Sequence, residues 1–296
     1  MKILSTRKRK ITINTLLNNT LIYFIALIIS LAIILPIAWL IISSISPRTE
    51  LASKPPHWFP KQPTIETYLI LLLGKKSSAI EAAPNFILAL RNNIIICAGS
   101  ALVALAFGLP AGYGISRFRI KGHNILRLGI VAIRMVPFGS MVIPFYLILR
   151  RSGLLDTMIG LIIVYQSFTL PFVIWLLSNF FDSLPVELEE AALVEGANYF
   201  AIFFRIAIPL SLPGVVTTII LAFMISWDEL FYALILTTSY RAKNLSVAIS
   251  ELSTRYTIDF SLWITAGVIG LMLPFIIALF AQKYIVRGLT MGALKG

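Results

Sequence analysis

The sequence has very few residues that form disulfides or bind metal ions. It contains one cysteine, Cys97, and two histidines, His57 and His123, which lie far apart. A single cysteine excludes a disulfide framework within the chain, and isolated histidines provide no sequence-evident metal site. Cys97 lies in an apolar run, and we interpret it as a packing residue.

Charged residues are also scarce. They make up 13% of the 296 residues, whereas 58% of the residues are hydrophobic and the mean hydropathy is +0.89. This composition lies far outside the soluble range and predicts a polytopic membrane protein. The net charge is +12. Because the basic residues are scattered around the apolar runs, we expect them to set membrane topology and expect no nucleic-acid partner.

Long apolar runs predict the architecture. Runs of this length cross a hydrocarbon core of about 30 Å, and backbone in lipid must pair internally, so we expect helices. The predicted fold is therefore an all-α bundle of about six spanning helices, with kinks at the prolines inside them. The runs lie near 20–42, 92–115, 128–149, 158–178, 212–236 and 262–284.

The distribution of basic residues predicts the orientation. Five basic residues precede the first run, which is too long for a signal-peptide core, so we expect an uncleaved anchor. The basic segment 116–127 favours the cytoplasmic side, although the loop 43–91, predicted to be external, also carries basic residues. Six crossings place both termini in the cytoplasm. The predicted organisation is a tail at 1–19, a transmembrane domain at 20–284 and a tail at 285–296.

The sequence lacks a phosphate-binding loop. The nearest approach is the segment 74–77, Gly-Lys-Lys-Ser, but the pattern requires a glycine at position 69, which is Leu69. We interpret the two lysines as loop charge. Any use of ATP therefore requires a separate ATPase subunit.

The longest polar-rich interruption of the apolar sequence lies at 179–208. Pro185 suits the first turn of a helix, and the glutamates after it place negative charge where a helix N-terminus favours it. Gly196 is a helix stop signal. The glutamates are Glu187, Glu189 and Glu190.

One narrow face of this predicted helix combines small and apolar residues with a carboxylate. Such a face lets a groove of another protein approach closely. An interfacial helix resting on lipid headgroups, with a solvated acidic face, fits the composition about equally well. The face consists of Leu184, Leu188, Ala191 or Ala192, and Glu195.

The segment also resembles the EAA loop of ABC importer permeases. That loop has Glu-Ala-Ala, three residues, glycine, nine residues and Ile-x-Leu-Pro, and Ile208 here replaces the usual leucine. The resemblance implies that the loop docks on an ATPase. The residues assigned to ATPase coupling are Leu188, Glu190, Ala191, Ala192, Glu195, Gly196, Ile206 and Pro209.

The rest of the chain is similar to maltose-type (MalG-like) permeases of carbohydrate uptake systems. The matching segments are 63–68, 112–118, 153–157 and 284–296. The resemblance implies a type I importer permease in the bacterial inner membrane, working by alternating access. The implied partners are a second, homologous permease, two ATP-binding-cassette ATPase subunits that hold ATP and Mg²⁺, and an extracytoplasmic solute-binding protein.

A few polar residues inside or near the apolar runs are candidates for the translocation path or its gate. Arg134 lies in the third run, where an unpaired charge is costly, so it should face protein or water and either contact a sugar or pair structurally. The segment 227–229 resembles a Trp-Asn-Glu element of sugar permeases, with aspartate replacing asparagine, and anchoring at the interface is its alternative. The candidates are Arg134, Tyr165, Gln166, Trp227, Asp228 and Glu229.

Two other classes of protein are weighed against the permease. A secondary transporter or channel would be expected to carry inverted repeats or buried acidic coupling sites, and apart from Asp228 and Glu229 no mid-span carboxylate is present. A membrane enzyme would need a convergent catalytic constellation, which the sequence does not contain. Gly108 and Gly112 have the spacing of a close helix contact.

Overall fold

The computed structural model describes residues 13–51, 53, 58–74, 83–118, 122–253 and 259–293. Within these ranges it describes the side chains except at 13–19, 138 and 284–293. Parts of both predicted tails, 1–12 and 294–296, lie outside the described residues, as do His57 and residues 75–77.

The described residues form helices joined by short connections. The four longest helices are α1 (Ile13–Ser44), α4 (Phe86–Arg117), α7 (Met158–Asp182) and α14 (Phe260–Ala293). The shorter ones are α2 (Arg48–Leu51), α3 (Glu66–Leu73), α5 (His123–Ile133), α6 (Phe138–Arg151), α8 (Glu187–Val194), α9 (Tyr199–Ile202), α10 (Ile208–Leu210), α11 (Leu212–Trp227), α12 (Phe231–Leu236) and α13 (Leu245–Glu251). A 3₁₀ turn, Ala83–Asn85, precedes α4, and a π-helical turn, Phe203–Ala207, joins α9 to α10.

The count of six continuous spans is not confirmed. Among the described residues, 4 helices are long and apolar enough to cross a membrane, or 5 if the bent pair Tyr199–Leu210 and Leu212–Trp227 counts as one span. The four long helices agree with four of the predicted runs. The third and fifth runs are each divided between two helices.

The third predicted span is interrupted at residues 134–137. α5 ends at Ile133 after 11 residues, and Pro137 is extended, with φ −61° and ψ 129°. Proline has no amide proton to continue the helix and disfavours helical backbone before it, so the chain restarts at Phe138. The fifth run is also interrupted, but without a proline at the break: α11 ends at Trp227 and α12 begins only at Phe231, after Asp228 and Glu229.

α4 and α7 form the centre of the bundle and pack along their lengths. A Cβ atom added at Gly108 would lie 2.5 Å from Val173 Cγ1. One added at Gly112 would lie 3.0 Å from Leu177 Cβ. The predicted close contact at these two glycines is therefore confirmed, since larger residues would separate the helices.

The direction of these contacts explains the role of α5 and α6. Residue numbers rise together along the two contacting faces, so α4 and α7 run parallel. The chain must return to its starting end between Arg117 and Met158. α5 and α6 fill that connection, which means that the interrupted third span still carries the chain back across the bundle.

The end of the bundle where α7 begins is held by polar contacts. Asp156 has a positive φ of 58° and accepts hydrogen bonds from Thr238 N at 2.8 Å and Ser239 Oγ at 2.6 Å. Nearby, Asn92 Nδ2 near the start of α4 donates to Tyr240 O at 2.9 Å. These contacts join α4, the α6–α7 connection and the loop 237–244.

Candidate functional site

α8 forms where the sequence predicts the polar helix. It begins at Glu187, and its first turn carries Glu187, Glu189 and Glu190 next to the unpaired amide groups of the helix N-terminus. The charge on the exposed Glu187 and Glu190 stabilises the helix by an amount on the order of 0.3–1 kcal/mol each.

Gly196 ends α8 with a Schellman motif. Its amide donates to Leu193 O at 3.0 Å, and the Ala197 amide donates to Ala192 O at 2.9 Å. The motif requires a left-handed residue, and Gly196 has φ +92°. No atom would lie within 4 Å of a Cβ added at Gly196. A side chain at this position would therefore strain the backbone without causing a clash.

The chain after Gly196 turns back towards the bundle. Asn198 caps α9, since its side chain accepts a hydrogen bond from Ala201 N at 2.7 Å. The following π-helical turn buries Phe203 and Ala207 against the core, with Ile206 half-buried and Pro209 of α10 exposed. A bend of 77° then separates α10 from α11.

The outer surface of the α8–α10 segment (187–210) is exposed and combines apolar residues with carboxylates. Val194 is 89% exposed and Phe200 is 73% exposed. Exposed apolar patches of this kind mark sites of contact with another protein or with a membrane. The other exposed residues of the segment include Leu188, Glu190, Ala191, Glu195 and Phe204, whereas Ala192 is half-buried.

The inner surface of α8 is tied to the end of α4 by Glu189. This residue is 6% exposed. Its carboxylate accepts hydrogen bonds from Tyr113 Oη at 2.8 Å and from Arg117 Nε at 2.8 Å. A buried carboxylate is costly unless it is paired, and these two donors pair it from one helix. From the sequence, Glu189 was expected only as one of the charges at the helix N-terminus, and its contact with α4 was not predicted.

A second polar contact joins the end of α7 to α4 and α5. Asp182 accepts a hydrogen bond from Ser116 Oγ at 2.6 Å and pairs with Arg127 Nη2 at 2.7 Å. The two side chains of this ion pair are about one-third exposed, at 32% and 36%. A cavity of about 510 Å³ lies beside them, lined by Ser116, Arg117, Phe118, His123, Arg127, Asp182 and Val186.

Four of the predicted path residues are involved in contacts between helices. Gln166 Nε2 in α7 donates to Ser100 O in α4 at 3.2 Å, and Trp227 Nε1 in α11 donates to Gly270 O in α14 at 3.2 Å. Asn244 Nδ2 donates to both Tyr165 Oη, at 3.3 Å, and Glu229 O, at 2.6 Å.

Glu229 also caps α12. Its carboxylate accepts hydrogen bonds from Tyr232 N at 2.7 Å and Ala233 N at 3.2 Å. The neighbouring Asp228 is exposed. Arg134 is exposed at the break between α5 and α6, with its guanidinium carbon 5.0 Å from the centre of the Phe172 ring. Of the six path candidates, only Arg134 and Asp228 thus present an exposed side chain.

No group of three or more metal-binding side chains is found among the described residues. The residues of the site form an exposed apolar and acidic surface on one side of α8 and a buried charge pair on the other.

More than half of the chain matches a known protein family. Residues 104–291 match the family described as "Binding-protein-dependent transport system inner membrane component". The trehalose transport system permease protein SugB of Mycobacterium tuberculosis is 34% identical over 265 residues, which cover 89% of this chain and 93% of SugB. The trehalose/maltose transport system permease protein MalG of Thermococcus litoralis is 30% identical over 281 residues, covering 95% and 98%.

Solved structures have the same fold. A subunit of a bacterial ABC transporter that imports the acidic polysaccharide alginate matches with a TM-score of 0.74 and 23% identity, covering 92% of this chain and 98% of that subunit. The alginate transporter in complex with its alginate pentasaccharide-bound periplasmic protein matches with a TM-score of 0.67 and 16% identity, covering 94% and 98%. The expected importer-permease fold is therefore confirmed.

Proposed function

Because the chain belongs to the family of binding-protein-dependent transport system inner membrane components, we propose that it is the permease subunit of an ABC importer for a sugar. In this proposal the chain forms half of the transmembrane pathway and has no catalytic activity of its own. The α8–α10 segment carries the proposal, since it combines an exposed surface with a buried tie to α4.

The substrate class rests on the relatives. Their names include permeases for trehalose, for trehalose and maltose, and for diacetylchitobiose. We propose a sugar as the substrate on this basis. Arg134 and Asp228 are the proposed path residues, because an exposed guanidinium and an exposed carboxylate can bind hydroxyl groups, while Tyr165, Gln166, Trp227 and Glu229 hold the surrounding helices in place.

The proposed partners follow from the same function. They are a second permease that completes the pathway, two ATPase subunits that hold ATP and Mg²⁺, and an extracytoplasmic binding protein that delivers the sugar. The ATPase subunits would bind the exposed face of α8, because Leu188, Ala191 and Val194 offer an apolar surface to a groove. Both termini and the α8–α10 segment would then lie in the cytoplasm.

The proposed mechanism is alternating access driven by the ATPase subunits. ATP binding closes these subunits around α8. α8 moves as a rigid body because a Schellman motif closes its C-terminal end and Glu189 joins it to α4. The movement rotates the transmembrane helices and opens the pathway outwards. Hydrolysis then resets it. Two states of the ATPase are thereby coupled to two states of the bundle.

Two substitutions in α8 test this function. Glu190→Lys places positive charge at a helix N-terminus and in the docking face, and Gly196→Asp strains the left-handed backbone and adds charge. We expect either change to abolish ATP-dependent uptake of labelled trehalose or maltose while membrane insertion, measured on immunoblots of washed membranes, stays normal.

Matched controls separate docking from general effects of charge. Glu66→Lys makes the same charge reversal in the exposed first turn of α3 and should leave uptake intact. Gly196→Asn places a neutral side chain of similar size in the same left-handed backbone, so it differs from Gly196→Asp only in charge, and it should retain more uptake. Near-normal uptake by Glu190→Lys and Gly196→Asp would refute the proposed coupling.

A further inference from the structure

We infer that Glu189 is the residue through which movement of α8 reaches the transmembrane helices, and that α4 is the helix that receives it. The inference rests on the proposed function and adds a second role within the loop. In this division of roles, the exposed Glu190 faces the ATPase, and the buried Glu189 fixes α8 to the bundle.

Glu189 differs from the other glutamates of its turn in being buried and paired. It is 6% exposed, while Glu187 and Glu190 of the same turn are exposed. Both partners of Glu189 belong to α4, and the side chain of Arg117 is only 9% exposed. Displacing α8 from α4 would leave two charges unpaired in a buried setting, so the two helices are expected to move together.

The Tyr113 ring of α4 packs against the chain on both sides of α8. Its centre lies 5.4 Å from the ring of Phe181, before α8, and 5.0 Å from the ring of Phe203, after α9. Its hydroxyl group donates a hydrogen bond to Glu189, which lies between Phe181 and Phe203 in the sequence. One side chain of α4 thus contacts the chain before α8, within α8 and after α9.

The guanidinium group of Arg117 makes further hydrogen bonds besides the one to Glu189. Its Nη1 donates to Ser116 Oγ at 3.1 Å and its Nη2 donates to Leu184 O at 3.4 Å, in addition to the bond from Nε to Glu189. The guanidinium group is therefore held from three directions. A group held this way cannot follow α8 by a simple rotation of its side chain, so the backbone of α4 has to move.

At its other end, α4 contacts the loop 237–244. Asn92 Nδ2 donates to Tyr240 O at 2.9 Å and Lys243 O at 3.1 Å. At 1.5 Å per residue, Asn92 and Tyr113 are about 32 Å apart along one helix. α4 therefore connects the α8–α10 segment directly to the loop 237–244 at the opposite end of the bundle.

The test measures coupling and not merely activity. The complete transporter, with its ATPase subunits and binding protein, is reconstituted in proteoliposomes, and labelled trehalose or maltose taken up is divided by ATP hydrolysed. Glu189→Gln keeps the shape of the side chain and removes its charge. We expect the ratio to fall roughly tenfold or more while ATP hydrolysis continues, because charged hydrogen bonds of this kind shift equilibria by that amount.

Glu187→Gln is the matched control, since it makes the same change at an exposed position of the same turn, and its ratio should stay at the wild-type value. Tyr113→Phe removes one hydroxyl group and should lower the ratio less. If both changes act through one contact, the double variant should resemble Glu189→Gln alone.

The possible outcomes distinguish failure of the inference from failure of the proposed function. An unchanged ratio in Glu189→Gln would overturn the inference, and so would a ratio that is equally reduced in Glu187→Gln. Should Glu189→Gln fail to assemble, the Tyr113→Phe ratio decides, and a wild-type value would overturn the inference. Absence of ATP-dependent uptake in the wild-type transporter would instead refute the proposed function, leaving the contacts between α4 and α8 to be tested in another activity.

Discussion

The α4–α7 pair and the α8–α10 segment are held in place by opposite means. α4 and α7 pack through glycines, with Val173 and Leu177 fully buried at the contact. The α8–α10 segment is exposed over most of its surface and is joined to α4 by one buried ion pair, beside a few buried residues such as Phe203. The difference indicates that shape complementarity stabilises the bundle, while a small number of polar contacts position the exposed surface of the α8–α10 segment.

The largest expected effect is on the α4–α7 contact. Gly108→Leu would force a side chain into Val173, because even a Cβ atom would lie 2.5 Å from Val173 Cγ1. Overpacking of this kind costs about 1–3 kcal/mol, and a side chain as large as leucine should reach the upper end. We expect a clear fall in thermal stability of the purified chain in detergent, measured by loss of monodisperse protein on heating.

Gly129→Leu is the control for that change. Gly129 lies in α5, is exposed, and has no atom within 4 Å of an added Cβ. Equal destabilisation by the two substitutions would show that the α4–α7 contact has no special importance. It would then remove the contrast between the two regions.

A smaller effect is expected at a polar contact in the bundle itself. Burial raises the pKa of Asp156, but hydrogen bonds from Ser239 and Thr238 outweigh it, so the pKa lies below its ordinary value of 3.8. A lowered pKa means that the ionised form stabilises the fold above the ordinary pKa, and that this contribution is lost as the pH falls through the folded-state value. Asp156→Asn should therefore lower stability at neutral pH, by about 1 kcal/mol.

The pH dependence sharpens this comparison. The difference in thermal stability between the wild type and Asp156→Asn should shrink when the pH falls below 3.8 and through the folded-state pKa. The difference between the wild type and Gly108→Leu should persist over the same range, because packing has no titrating group. A pH-independent effect of Asp156→Asn would contradict the assigned role of its charge.

The sequence predicted the long helices well and the interruptions poorly. The apolar runs at 20–42, 92–115, 158–178 and 262–284 all correspond to long helices, since continuous hydropathy is enough to specify them. The runs at 128–149 and 212–236 were predicted as single helices because a hydropathy average conceals one local break. Pro137 in the first and Asp228 in the second were visible, but their effect depends on local backbone geometry.

The same limit applies to the α8–α10 segment. The stop at Gly196 was predicted from the residue type and is confirmed by its φ of +92°. Which of the three glutamates is buried could not be predicted, because that depends on Arg117, which lies 72 positions earlier in the sequence. The docking and path residues remain predictions.

In the proposed function, the exposed face of α8 lies in the cytoplasm in contact with an ATPase subunit. Ala191→Cys places a thiol on this face, and the natural Cys97 is fully buried and should not react. A membrane-impermeant maleimide should label the variant in inside-out vesicles stripped of ATPase subunits, and rebinding those subunits should protect it. Labelling from the outside of right-side-out vesicles, or labelling unchanged by the rebound ATPase, would contradict the account.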